Sequence, residues 1–144
     1  MNQQIDSQTA ARLAAHLDRA RPMICERVSA KMMLAFPELA ATLQLESAPS
    51  LEQRLSKVAT ERFCEMLRAI LVFEAFELAD QELRWAHPII VRQGVTYQHQ
   101  ATMVRWVFEE VRRLPLDAAE KNLVYELEQY LNNLVRTIFQ PAGS

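Results

Sequence analysis

Ala86-His87-Pro88-Ile89-Ile90-Val91-Arg92-Gln93-Gly94-Val95-Thr96-Tyr97 is the stretch on which the fold turns. It reads as a helical run that carries one imidazole, His87, and reaches the only interior glycine, Gly94. A fresh helix follows, and its Tyr97 comes ten residues after His87. Glycine turns a chain easily because, lacking a Cβ, it takes positive φ at little steric cost. The chain has only two glycines in 144 residues. β-Hairpins and nucleotide-cradling loops draw on such residues, so their scarcity leaves helix as the main element. Gly-rich phosphate motifs are absent. The expected fold class is all-α.

The punctuation on either side of this stretch divides the chain. Leu13, Ala14, Leu17 and Ala20 mark a first helix over 7–20. Pro22 suits a first helical turn and predicts a second helix over 22–35, with Ile24, Val28, Met32 and Met33 inward. Pro37 opens a short piece over 38–45. After a loop at Glu46-Ser47-Ala48-Pro49, Ser50 and Gln53 form a capping box, in which each side chain satisfies the other's free backbone N–H. The long helix that follows is expected to run toward Phe76, with Phe63, Met66, Leu67, Ile70 and Leu71 facing the core. A shorter helix over 80–92 holds Leu83, His87, Ile90 and Val91, and Pro88 inside it predicts a bend or a restart. Met103, Val104, Val107, Phe108 and Val111 mark a helix over 96–114. Asp117 with Glu120 caps the last helix, whose stripe runs from Leu123 to Ile138 before Pro141 and Gly143 end it. The pattern predicts about seven helices in one domain over 1–144, with flexible ends at 1–6 and 140–144.

Composition narrows the function classes. Half the residues are hydrophobic, 24% are charged and the formal net charge is −2, with both signs interspersed. That balance offers no basic stripe for nucleic acid. The first residues form no signal peptide, and the longest apolar run, near 69–76, is broken by Glu74 before Glu77 follows, so a cytoplasmic chain without membrane contact is expected. Cys25 and Cys64 sit in helical patterns without a Cys-x-x-Cys, which argues for buried, inert thiols. No Ser/His/Asp arrangement, carboxylate pair or metal cluster stands out, so no enzyme is expected. Glu74, Glu77, Glu109 and Glu110 read as solvated helix faces. His99 reads as solvent-exposed in a polar first turn, and His16 as a surface or dimer residue.

Several stretches resemble the globin domains of bacterial globin-coupled sensors, which sense oxygen through heme. They are Ala35-Phe36-Pro37-Glu38-Leu39, Glu61-Arg62-Phe63, and Ala118-Ala119-Glu120-Lys121 followed by Val124-Tyr125, and the likeness covers about 17–139. It implies a globin-like fold of about seven helices and a sensor domain for a diatomic gas. It also implies a heme held by His87 as metal ligand, with an aromatic such as Tyr97 ten residues on. The pocket around it would include Leu43, Leu55, Val58, Ala59, Trp85, Ile90, Val91 and Tyr97.

Three positions depart from the family pattern. Aligning on Gly94-Val95 puts Ile90, which cannot bind iron, at the ligand position; Ser29 stands where a distal tyrosine is expected, and Leu43 where a phenylalanine is. A heme-free globin-like signalling domain, similar to those of stressosome proteins, is therefore an alternative. So is a bilin-binding relative using Cys64, and so is a helical module whose task is dimerisation. Trp106, Tyr125 and Tyr130, with Leu131 and Leu134, widen the stripes of the last two helices and suggest a homodimer interface. With no output element evident, a separate signalling protein is the expected partner.

Overall fold

The computed structural model describes residues 5–39, 59–92 and 94–140. Among the described residues there are five helices and no strand: α1 (Ser7–Ala35), α2 (Glu61–Phe73), α3 (Glu77–Arg92), α4 (Tyr97–Arg112) and α5 (Ala118–Phe139). The all-α expectation holds for the described residues; the expected total of about seven helices is not confirmed by the five found among them. The two helices expected over 7–20 and 22–35 are one continuous helix of 29 residues with Pro22 inside it. A mid-helix proline forfeits a backbone hydrogen bond and disfavours the helix by about 3 kcal/mol. Here Pro22 is exposed, while Leu13, Leu17, Ile24, Val28 and Met32 are buried on either side of it. That burial offsets the lost bond. Pro88 likewise lies inside α3 without dividing it. The piece expected over 38–45 falls outside the described residues beyond Leu39, as do the Ser50–Gln53 capping box and Leu43, Leu55 and Val58.

Local chemistry sets the helix ends. Asp6 caps α1, its carboxylate accepting from the Thr9 backbone N–H at 2.9 Å and the Thr9 hydroxyl at 2.8 Å. Those two bonds hold the Asp6 carboxyl below its usual range. Ile5 beside it is buried in the core cluster. At α5, Asp117 and Glu120 form the expected reciprocal capping box, both bonds 2.8 Å. Gly94 takes φ 89° between α3 and α4, the turn for which its missing Cβ is needed. Glu74 ends α2 in the left-handed region at φ 54°, and the Ser7 hydroxyl donates to its carboxylate at 2.8 and 2.9 Å.

The helices pack in a definite pattern. α1 runs antiparallel to α2, shown by Arg68 to Asp18 at 3.1 Å, Arg21 to Glu65 at 3.7 Å and Ser29 to Thr60 at 3.4 Å. The first half of α1 meets α5 through Arg12 and Asp117 at 3.3 Å, and its second half meets α4 through Arg27 and Glu110 at 3.2 Å. α3 packs on α2 and α5, and α4 packs on α5. The Phe63 and Phe108 rings meet edge-on, 6.3 Å between centroids, where α2 faces α4.

The packing corrects one surface expectation, that of a solvated Glu110, and places the side chains expected at a homodimer interface. Leu131 is fully buried and Leu134 nearly so, because α5 is covered by α1, α3 and α4 on different sides. Tyr125 on the same helix is 62% exposed. Trp106 and Tyr130 are half-buried, resting on Phe36 and Phe76 with centroids 6.5 and 5.0 Å away. Glu110 is not solvated but buried, since α1 lies across it and brings Arg27 and Lys31 to its carboxylate.

Candidate ligand cavity

An apolar hollow of about 100 Å³ lies where the end of α1 meets α2, α3 and α4. α1 and the turn after it supply Met32 and Leu39; the second helix and its approach supply Ala59, Phe63 and Met66. α4 contributes Gln100 and Met103, with His99 and Val95 at its start. From α3 come Leu83, Ala86 and Ile90, whose spacing of three and four residues stacks them on one helix face. Arg62 and Glu82 also line it, and their half-exposed side chains pair at 3.1 Å between α2 and α3, closing part of its mouth. A larger hollow of about 550 Å³, outside α2 and α3 near Phe73 and Gln81, is an open surface groove.

His87 is not among the residues that line this cavity. It is one position beyond Ala86, and one residue turns the side chain by about 100° around a helix of 3.6 residues per turn. The His87 ring instead stands edge-on to Phe139 of α5, with centroids 4.7 Å apart. Tyr97 lies against the same phenylalanine at 6.5 Å. The ten-residue spacing of His87 and Tyr97 thus brings both rings to one packing partner. Of the other expected pocket residues, Ala59 and Ile90 line the cavity. Trp85 is 61% exposed and Val91 45%, so both point away from it.

His99, expected in solvent, is 5% exposed. Its ring packs edge-on against Phe36, centroids 4.7 Å apart, and it serves as the third helical residue of α4's capping box. The Thr96 backbone N–H donates to its Nδ1 at 3.1 Å, while the His99 backbone N–H donates to the Thr96 hydroxyl at 3.2 Å. Nδ1 being an acceptor, Nε2 carries the proton and donates to the Glu38 carboxylate at 2.8 Å. That bond is the main reason the Glu38 carboxyl is held below its usual range. Both ring nitrogens are therefore engaged. The signal in the sequence was Thr96 three residues before His99, a capping spacing with histidine in the place usually taken by Glu or Gln. Arg62 entered the sequence reading only within Glu61-Arg62-Phe63, Gln100 and Glu82 carried no motif, and only packing reveals the position of all three.

Serine, threonine, cysteine and tyrosine are all missing from the described lining, so it presents no hydroxyl or thiol nucleophile. Among the described residues no three His, Cys, Asp or Glu side chains converge as a metal-binding group, and no helix is long and apolar enough to cross a membrane. Cys25 and Cys64 are buried thiols not joined in a disulfide. A hydrogen bond with Cys25, followed by burial, pushes the Cys64 thiol well above its usual range. What the arrangement can do is enclose a small, mostly apolar body beside a few polar groups. Comparison with protein-family models, with curated proteins and with solved structures yields no match.

Proposed function

We propose that this chain is a heme-free, globin-like sensory or regulatory domain that takes a small apolar molecule into the cavity between α1, α2, α3 and α4. The observation that carries this reading is that Ile90, four residues before Gly94, lines the cavity while His87 packs on Phe139. The alignment on Gly94-Val95 puts the same Ile90 at the ligand position of the sensor globins. The set of packed pairs supports a globin-like bundle. The first half of α1 meets α5 and its second half α4, α2 lies along both halves, α3 bridges α2 and α5, and α4 lies on α5.

The described residues do not fit a heme. The imidazole expected to hold iron faces α5, the histidine that does line the cavity has both nitrogens bonded, and about 100 Å³ is below the roughly 300 Å³ of ordinary cofactor pockets. Occupancy would be read through α3. Only Ala79 and Leu83 are fully buried on that helix, so it is the element most lightly held in the core. Its cavity face carries Leu83, Ala86 and Ile90, and the neighbouring His87 touches Phe139 at the end of α5. A displacement of α3 on filling would pass to the end of α5 and from there to a partner, a second copy or a separate signalling protein.

Two measurements test this. A hemin titration of wild type, His87→Ala, His16→Ala and His99→Ala is expected to give no specific Soret band in any of them. A one-to-one band lost only in His87→Ala would overturn the heme-free reading. Methyl NMR under xenon pressure should shift the Ile90, Leu83 and Met103 signals, since dry apolar cavities take up xenon. Unchanged methyl signals would overturn the cavity's role.

A further inference from the structure

The cavity is not wholly apolar in what it offers. Gln100 lines it, is 91% buried, and its carboxamide has no hydrogen-bond partner among the described residues. Its backbone N–H is used in the helix, donating to the Thr96 carbonyl at 3.1 Å, so among the described residues it is the side chain that lacks a partner. A buried amide left without a partner is destabilising, and native structures rarely tolerate one without a use. The carboxamide presents a donor and an acceptor side by side.

We infer that Gln100 recognises the polar head of the cavity's ligand, and that this ligand is a small neutral amphiphile with a hydroxyl or amide head on a branched apolar body. The inference rests on the proposed ligand-binding role and adds the chemistry of the ligand. Neutrality follows from the charges around the site. Arg62 is paired with Glu82 at 3.1 Å, and His99 gives its Nε2 proton to Glu38, so among the described residues no unpaired cation faces the cavity. An anion entering it would be desolvated without compensation. Size follows from the volume. A 150 Å³ apolar cavity holds benzene, so about 100 Å³ suits a body of about five heavy atoms. Leu83, Ile90 and Met103 would enclose the branched end.

The experiment compares isobutanol, isopentane and isobutyrate at neutral pH, on wild type and Gln100→Leu, by titration of methyl and side-chain amide NMR signals. In wild type, isobutanol should shift both the Gln100 side-chain amide and the Ile90 methyl, isopentane the methyl alone. Isobutyrate should bind more weakly than isobutanol. Gln100→Leu should move the isobutanol-to-isopentane affinity ratio about tenfold toward isopentane. An unshifted Gln100 amide on isobutanol binding, an unchanged ratio in the variant, or tighter isobutyrate binding would each overturn the inference while leaving the cavity reading standing. Binding of none of the three would overturn both. The wild-type amide signal decides the matter even if Gln100→Leu fails to fold.

Discussion

The imidazole of His87 and the ring of Phe139 meet edge-on at an interplanar angle of 81°, joining the middle of α3 to the last residue of α5. α3 has few other fully buried anchors, so this contact is a principal tie between the cavity-lining helix and the rest of the bundle. It also explains why a lone histidine is found in a helix whose other inward positions are apolar.

A double-mutant cycle on His87→Ala and Phe139→Ala should therefore give a coupling of about 1 kcal/mol, the range for packed aromatic pairs. Denaturant unfolding of the four proteins measures it. Strictly additive losses would show that the rings are neighbours without interaction.

Glu110 is 1% exposed yet surrounded by Arg113 at 3.1 Å, Arg27 at 3.2 Å and Lys31 at 3.9 Å. The three cations are themselves half-exposed, so each one alone is partly screened by solvent. Arg27→Ala should lower stability by less than about 1 kcal/mol, because the other two remain. Arg27→Ala with Arg113→Ala should exceed the sum of the singles by about 1 kcal/mol, as a buried carboxylate loses its last strong partners. Thermal or urea unfolding checks both values.

The start of α4 depends on a reciprocal pair. Thr96→Ala removes one bond of it and should destabilise by about 1 kcal/mol. His99→Gln should keep most of the cap, since Gln is a usual partner in the box, but lose the link to Glu38. Unfolding of the two variants under the same conditions separates these effects.

Acid sensitivity should run through Glu38 and Asp6. Both carboxyls lie below their usual range in the folded chain, Glu38 through the His99 bond and Asp6 through the Thr9 backbone bond. A depressed folded pKa gives stabilisation that is present above the unfolded value and disappears as pH falls through the folded one. Melting temperature should therefore fall below about pH 4. Glu38→Gln should make that decline shallower, as melting curves from pH 6 down to pH 3 would show.

Cys25 and Cys64 share a hydrogen bond in the core between α1 and α2, and the Cys64 thiol resists ionisation. Because only thiolate reacts, a disulfide reagent should modify the native chain about a hundredfold more slowly than free cysteine. Both thiols should react at once in guanidinium. Rapid labelling of Cys64 in the native chain would contradict this burial.

Glycine scarcity, the apolar stripes and the capping pairs were enough to establish the helical class of the described residues, a turn at Gly94 and a helix starting after Asp117. These features are local, each resting on backbone chemistry within one or two turns. Tertiary packing decided the rest. Whether Pro22 starts a helix or is carried through one depends on the apolar burial of α1 against α2 and α4. Whether Leu131 faces a partner or the core depends on how many neighbours α5 receives. Which residue of α3 looks into the cavity is a matter of helix rotation, and one position separates Ala86, inside, from His87, against Phe139. Periodicity reveals that a helix has an apolar stripe. Only the placement of its neighbours determines which edge of that stripe meets a cavity and which meets another helix.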